Sequence, residues 1–80
     1  MGFSDKIIKS RNHLLRIVTG KSGGREAWWI LKLLPAKQEI YKIRVKQNEI
    51  NLGEFGEILQ KGWGSEPPEN ILNFIKAEYS

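Results

Sequence analysis

The sequence predicts an α+β fold: a small antiparallel sheet packed against an N-terminal helix and two C-terminal helices, in the order α-β-β-(β)-α-α. The main observation is a central stretch rich in aromatic and β-branched residues, flanked by segments whose apolar residues recur at helical spacing. The 80 residues are 40% hydrophobic and 28% charged, which is enough for one modest core. We therefore expect a single globular domain over residues 1–80.

The first segment is predicted to be a helix over residues 5–18. Ser4 is a suitable N-cap, and Gly20 is a suitable C-terminal stop. The apolar residues fall on about half of the helical wheel, and the opposite half carries the basic residues Lys6, Lys9 and Arg16. A strand over residues 13–19 is the alternative, because three consecutive β-branched residues end this segment.

Two strand-like runs follow, over residues 26–34 and 40–46, and a proline-initiated turn separates them. We expect them to form a β-hairpin. If the apolar odd-numbered residues share one face, the even-numbered ones share the other. That second face would carry Trp28, Ile30, Lys32, Lys42, Arg44 and Lys46.

The C-terminal part of the chain is predicted to hold a short third strand at Ile50 and Leu52, and helices over residues 53–61 and 67–79. Trp63 lies between two glycines that separate these helices. We expect it to fill the seam between them, because so small a domain needs each large apolar group. The alternative is an exposed tryptophan that anchors an interface.

The net charge of +4 is unevenly distributed along the chain. Residues 1–46 hold eleven basic and three acidic residues, a net charge of +8, whereas residues 47–80 hold two lysines and six glutamates, a net charge of −4. Such asymmetry is typical of proteins that bind nucleic acid, acidic partners or anionic membranes.

Catalysis and metal binding have little support in the sequence. The chain has no cysteine, one histidine and one aspartate. On the predicted helix, His13 and Asp5 do not meet, so a Ser-His-Asp triad is not expected. The Gly20-Lys21-Ser22 sequence lacks the upstream glycine and the strand-loop-helix order of a phosphate-binding P-loop. We therefore predict a protein that is not an enzyme and needs no metal or cofactor.

The leading hypothesis is a small basic module that binds nucleic acid, most specifically DNA, through the basic face of the hairpin. The residues predicted to bind are Trp28, Lys32, Lys42, Arg44 and Lys46, with electrostatic support from Lys21, Arg25, Lys6, Lys9 and Arg16. The alternative is a protein–protein adaptor or small inhibitor that docks its basic half on an acidic partner. Self-association into a homodimer would use the same charge asymmetry.

Membrane binding ranks below these hypotheses. No apolar run approaches the roughly 18 residues that a spanning helix needs. The first helix could bind a membrane surface only with the apolar face that the core requires. The sequence starts without a continuous apolar segment, so the expected location is cytoplasmic.

Overall fold

The computed structural model describes residues 4–9, 14–46, 50, 53 and 56–79. Within these residues the chain forms a four-stranded antiparallel sheet with the strand order β1-β2-β3-β4, and two α-helices. The element order is β-β-β-α-β-α, so the predicted order α-β-β-(β)-α-α is wrong, although the class remains α+β. The strands are β1 Ser4–Ile8, β2 Leu14–Ser22, β3 Arg25–Leu33 and β4 Gly56–Trp63, and the helices are α1 Gln38–Lys46 and α2 Glu69–Tyr79.

The predicted N-terminal helix is replaced by β1 and β2, which pair antiparallel from Ser4↔Thr19 to Ile8↔Leu15. The strand alternative over residues 13–19 is therefore the better prediction for this part of the chain. Both faces of β2 are covered, because Leu15 packs into one core cluster and Val18 into the other. A strand buried on both faces has apolar residues at consecutive positions. This spacing resembles the apolar face of a helix, which is why a helix was predicted here.

The central strand β3 confirms the strand predicted over residues 26–34, but its hairpin partner is β2 and not residues 40–46. Strands β2 and β3 are joined by a two-residue turn at Gly23 and Gly24, which have φ values of 60° and 79°. Two successive positive φ values are typical of a type I′ turn, whose twist matches that of the flanking strands. The two glycines allow this turn because they adopt positive φ values without steric cost.

The predicted second strand of the hairpin, residues 40–46, lies in α1. Pro35 begins a 3₁₀ turn over Pro35–Lys37 that leads directly into the helix. Tyr41 and Val45 are one helical turn apart and face the sheet, whereas Ile43 is 56% exposed. The alternating apolar residues that suggested a strand are thus divided between the two sides of a helix.

Strand β4 replaces most of the helix predicted over residues 53–61. It pairs antiparallel with β3, and its register shifts between Ile30 and Leu31, where β4 carries one extra residue. The extra residue interrupts the alternation of apolar and polar residues by which a strand is recognised in a sequence. Of the predicted third strand, Ile50 lies outside regular secondary structure and Leu52 lies outside the described residues.

The last helix, predicted over residues 67–79, is confirmed as α2 over Glu69–Tyr79. It covers one face of the sheet with Ile75, which packs against Trp28, Ile30 and other apolar side chains. Helix α1 covers the opposite face, where Tyr41 and Val45 contribute to a second cluster with β2 and β3. The sheet is therefore the middle layer between two helices.

Candidate functional site

An exposed tryptophan between two cations is the most distinctive feature of the described surface. Trp63, the last residue of β4, has half of its surface exposed, at 50%. The Arg25 guanidinium carbon lies 4.3 Å from the centroid of its ring, and the Lys61 Nζ lies 4.7 Å from it. We call these three residues the tryptophan–cation patch.

The pairing of β3 with β4 puts the two cations on opposite sides of Trp63 along the strand direction. Trp63 is level with Ala27, and Lys61 is level with Trp29. Arg25 lies two residues before Ala27 on β3, so it is displaced in the other direction. Side chains two residues apart on a strand share a face.

Several contacts fix the patch in place. The Lys61 ammonium donates a hydrogen bond to the Ser22 hydroxyl at 3.3 Å and lies 5.5 Å from the centroid of the Trp29 ring. The Trp63 carbonyl accepts a hydrogen bond from the Trp28 indole at 3.2 Å. The next amide, that of Gly64, donates to the Glu26 carbonyl at 3.0 Å. The backbone of Trp63 is therefore anchored even though its ring is accessible.

The charges of the patch are not neutralised within the described part of the chain. Neither Arg25 nor Lys61 lies within ion-pair distance of a described carboxylate, and both are exposed. A cation over an exposed aromatic ring gains about 0.5–1 kcal/mol, so the indole orders both cations without cancelling their charge. The patch can attract an anion and can present an aromatic surface beside it.

The residues predicted to form a basic hairpin face do not come together. Trp28 is buried, with 4% of its surface exposed, in the cluster beneath α2. Its prediction as a stacking residue is therefore wrong, because α2 covers the face of the sheet on which it lies. Lys32 is on the same face, but its ammonium pairs with Glu57 at 3.7 Å and lies 5.5 Å from the Tyr79 ring centroid.

The three basic residues of the predicted second strand lie on α1 instead. The backbone over Gln38–Lys46 is helical, and positions two residues apart on a helix do not share a face, so the strand spacing predicted for Lys42, Arg44 and Lys46 does not apply. The Lys42 ammonium lies 3.6 Å from a Glu39 carboxylate oxygen. The side chains of Arg44 and Lys46 lie outside the described part of the structure. The basic ribbon inferred from the sequence therefore does not exist.

Arg16 is buried and does not contribute to a basic surface. Its guanidinium lies 3.1 Å from the Asp5 carboxylate and 5.7 Å from the Tyr41 ring centroid. The Tyr41 hydroxyl is buried without a hydrogen-bond partner among the described residues. Burial raises the pKa of Tyr41 far above its ordinary value, and the nearby charge of Asp5 adds to the rise. This cluster is part of the core between β1, β2 and α1.

Of the remaining predicted residues, Lys21 and Arg25 are both exposed beside the turn between β2 and β3. Arg25 belongs to the patch, whereas Lys21 pairs with Glu26 and lies on the opposite face of the sheet. Lys6 and Lys9 are exposed on and just after the edge strand β1, two strands away from β3. His13 lies outside the described residues. Of the ten predicted residues, Arg25 is therefore the one that belongs to the tryptophan–cation patch.

Sequence reasoning missed Lys61 and assigned Trp63 to the core. Both errors follow from the helix predicted over residues 53–61, which placed Lys61 at a helix end and Trp63 in a seam between helices. The signal that could have found them is the Gly62-Trp63-Gly64 sequence, since two glycines beside a tryptophan leave it without bulky neighbours along the chain. The alternative of an exposed anchor agrees with the observed exposure of Trp63.

Comparison of the chain with protein-family models, with curated proteins and with solved structures finds no match. Among the residues that the structure describes, no three acidic or histidine side chains lie close enough together to hold a metal ion. None of the described helices has the length and apolar character needed to cross a membrane. The helix proposed for membrane-surface binding is also absent, because its described residues lie in β1 and β2.

Proposed function

We propose that the protein is a non-enzymatic module that binds nucleic acid through the tryptophan–cation patch of Arg25, Lys61 and Trp63. The observation that carries this proposal is the exposed indole held between two cations that lack a carboxylate partner among the described residues. Phosphate groups supply the anion, and bases supply flat aromatic surfaces. Nucleic acid is the common biological ligand that offers both at once.

The positions of the cations support phosphate binding. Arg25 presents a planar guanidinium suited to two phosphate oxygens, and Lys61 presents a compact charge. Lys21 does not extend the patch, because it pairs with Glu26 across the hairpin and therefore lies on the opposite face of the sheet from Arg25. If the two cations neutralise two phosphates, the slope of log affinity against log salt concentration is about −1.4 for a single strand and about −1.8 for a duplex.

The test is a binding titration of a fluorescently labelled oligonucleotide at several salt concentrations. We expect the charge reversal Arg25→Glu with Lys61→Glu to abolish binding at low salt. The matched control is Lys9→Glu with Lys76→Glu, which lowers the net charge by the same four units at exposed positions away from the patch. If the control weakens binding as much as the patch variant does, only general electrostatic attraction is present and the proposal is wrong.

A second candidate is docking on an acidic protein surface, and the pairing of Trp63 with Arg25 favours it. Tryptophan and arginine are the residue types most enriched at the energetic centres of protein interfaces. Polyglutamate serves as an acidic polypeptide without bases. Binding of polyglutamate with affinity equal to that for an oligonucleotide of similar charge would support this second candidate over the first.

A further inference from the structure

We infer that the tryptophan–cation patch selects single-stranded over duplex nucleic acid, with one unpaired base stacked on the ring of Trp63. This inference rests on the proposed function and names the form of nucleic acid that the same surface would bind. It follows from three features of the structure: the covered faces of the sheet, the charges at the hairpin turn, and the contacts of Arg25.

The first feature is that a helix packs on each face of the sheet. The major groove of B-DNA is about 12 Å wide and admits one helix or a two-stranded ribbon. Four strands spaced by about 4.8 Å already extend over about 14 Å before any helix is counted. Helix α1 covers one face and α2 covers the other. The body of the sheet therefore does not fit a groove.

The second feature is the short projecting end of the β2–β3 hairpin. Among the described residues, β1 pairs with β2 as far as Thr19 and β4 pairs with β3 as far as Ala27, so the part of the hairpin beyond these pairs is only a few residues long. The residue that faces Lys21 across this ribbon is Glu26, which is exposed. A carboxylate inside the projecting ribbon opposes its entry between two phosphate backbones.

The third feature is that Arg25 can give up its contact with the Trp63 ring and bind a phosphate instead. Its described side-chain contact is with the ring of Trp63, whereas Lys61 also donates a hydrogen bond to Ser22. A base can therefore take the place of the guanidinium on the indole, while Lys61 stays on the other side. The displaced Arg25 then binds the adjacent phosphate. A base in a duplex cannot do this, because its faces are covered by its neighbours and only its edges are accessible.

The experiment compares three ligands of about 15 nucleotides, a length within the range of single-strand binding sites. They are a thymidine oligomer, a blunt duplex, and an abasic oligomer with the same phosphates but no bases. Wild-type protein is expected to bind the thymidine oligomer about 5- to 140-fold more tightly than the abasic one, which is the range for one stacked base. The duplex is expected to bind like the abasic oligomer. The abasic comparison needs no variant, so it does not depend on how a mutant folds.

Variants at Trp63 locate the stacking. Trp63→Ala is expected to lower affinity for the thymidine oligomer to that for the abasic one and to change duplex affinity less than about twofold. Trp63→Phe keeps an aromatic ring and is expected to retain most of the preference. Melting curves check that both variants are folded.

The outcomes separate the two proposals. Failure to bind any of the three ligands would overturn the proposed function and, with it, this inference. Equal binding of all three, lost on reversing Arg25 and Lys61, would leave the proposed function in place and overturn single-strand selection. Tighter binding of the duplex, or an equal effect of Trp63→Ala on both forms, would overturn single-strand selection as well.

Discussion

The indole of Trp28 occupies the space beside Gly62 that a side chain at that position would need. A Cβ on Gly62 would lie 2.6 Å from Cε2 of Trp28 and closer still to another ring atom. The same indole donates the hydrogen bond that anchors the backbone of Trp63. The buried tryptophan of β3 thus positions the exposed tryptophan of β4.

Replacement of Gly62 by alanine is therefore expected to destabilise the protein. Forcing extra atoms into a packed site costs about 1–3 kcal/mol, although alanine is otherwise slightly favoured over glycine within a strand. Urea unfolding followed by circular dichroism measures the change in the free energy of unfolding. Gln60→Ala, at an exposed position of the same strand, is the control and should change it by less than about 0.5 kcal/mol. Equal stability of Gly62→Ala and wild type would show that Trp28 does not pack there.

Helix α2 should contribute to stability through one face only. Ile75 is buried at 5% exposure, whereas the adjacent Phe74 is 64% exposed. Ile75→Ala is expected to cost about 2–5 kcal/mol, since it removes buried methyl groups and leaves a cavity. Phe74→Ala should cost less than about 0.5 kcal/mol. Thermal or urea unfolding of the two variants decides between this orientation and a rotated helix, for which the order of the two effects would be reversed.

The ion pair between Asp5 and Arg16 is expected to hold β1 against the sheet. Asp5→Asn leaves the buried Arg16 charge without its partner, which costs about 3–5 kcal/mol in a fully buried pair. The Asp5 side chain is 26% exposed, so we expect about 1–3 kcal/mol. The control is Glu57→Gln, whose pair with Lys32 is more exposed and should contribute less than about 1 kcal/mol. Similar losses in the two variants would contradict this account.

Stability should fall in alkaline solution because of Tyr41. The folded pKa of this phenol lies above the unfolded value, so the unfolded chain releases the proton first as the pH rises. The stability from this group is complete below the unfolded pKa of about 10, and it decreases above that pH by about 1.4 kcal/mol per pH unit. Tyr41→Phe should remove this part of the slope. Urea unfolding of both proteins at several alkaline pH values measures how the free energy of unfolding changes with pH. Identical pH slopes for wild type and Tyr41→Phe would contradict this prediction.

Tyr41→Phe has a second expected effect at neutral pH. The hydroxyl it removes is buried and has no hydrogen-bond partner among the described residues. Deleting an unsatisfied buried polar group is neutral or stabilising, in contrast to deleting a paired one. The free energy of unfolding at neutral pH should therefore be unchanged or higher. A loss of more than about 1 kcal/mol would show that the hydroxyl is hydrogen-bonded.

Sequence patterns predicted correctly those elements in which the spacing of the apolar residues matches the faces that are buried in the structure. Strand β3 and helix α2 were found to within two residues at each end, since β3 is a continuous apolar run and α2 has a clear apolar stripe. The first segment was misread because β2 is buried on both faces. Residues 40–46 were predicted to be a strand because Tyr41, Ile43 and Val45 alternate with polar residues. In the helix, Tyr41 and Val45 are buried and Ile43 is exposed, so the alternation does not reflect a buried strand face.

The candidate site was less predictable than the fold. Lys21 and Arg25 were identified because they stand beside the glycines of the turn. Trp63 and Lys61 are brought to Arg25 only through the pairing of β3 with β4, and they lie more than thirty residues from it in the chain. A bulge shifts that pairing, so no regular spacing in the sequence connects the two strands. The excess charge of the first 46 residues pointed to an anionic ligand but not to the surface that would bind it.

A nuclear magnetic resonance titration of ¹⁵N-labelled protein with the thymidine oligomer tests directly whether nucleic acid binds at Trp63. The chain has three indole N–H groups, of which Trp28 and Trp29 belong to buried residues and Trp63 to an exposed one. We expect the Trp63 indole signal and the amides of Arg25 and Lys61 to shift most, and the indole signals of the buried Trp28 and Trp29 to shift less than that of Trp63. Largest shifts on β1 or α2 with an unchanged Trp63 signal, or no shifts at all, would contradict binding at Trp63.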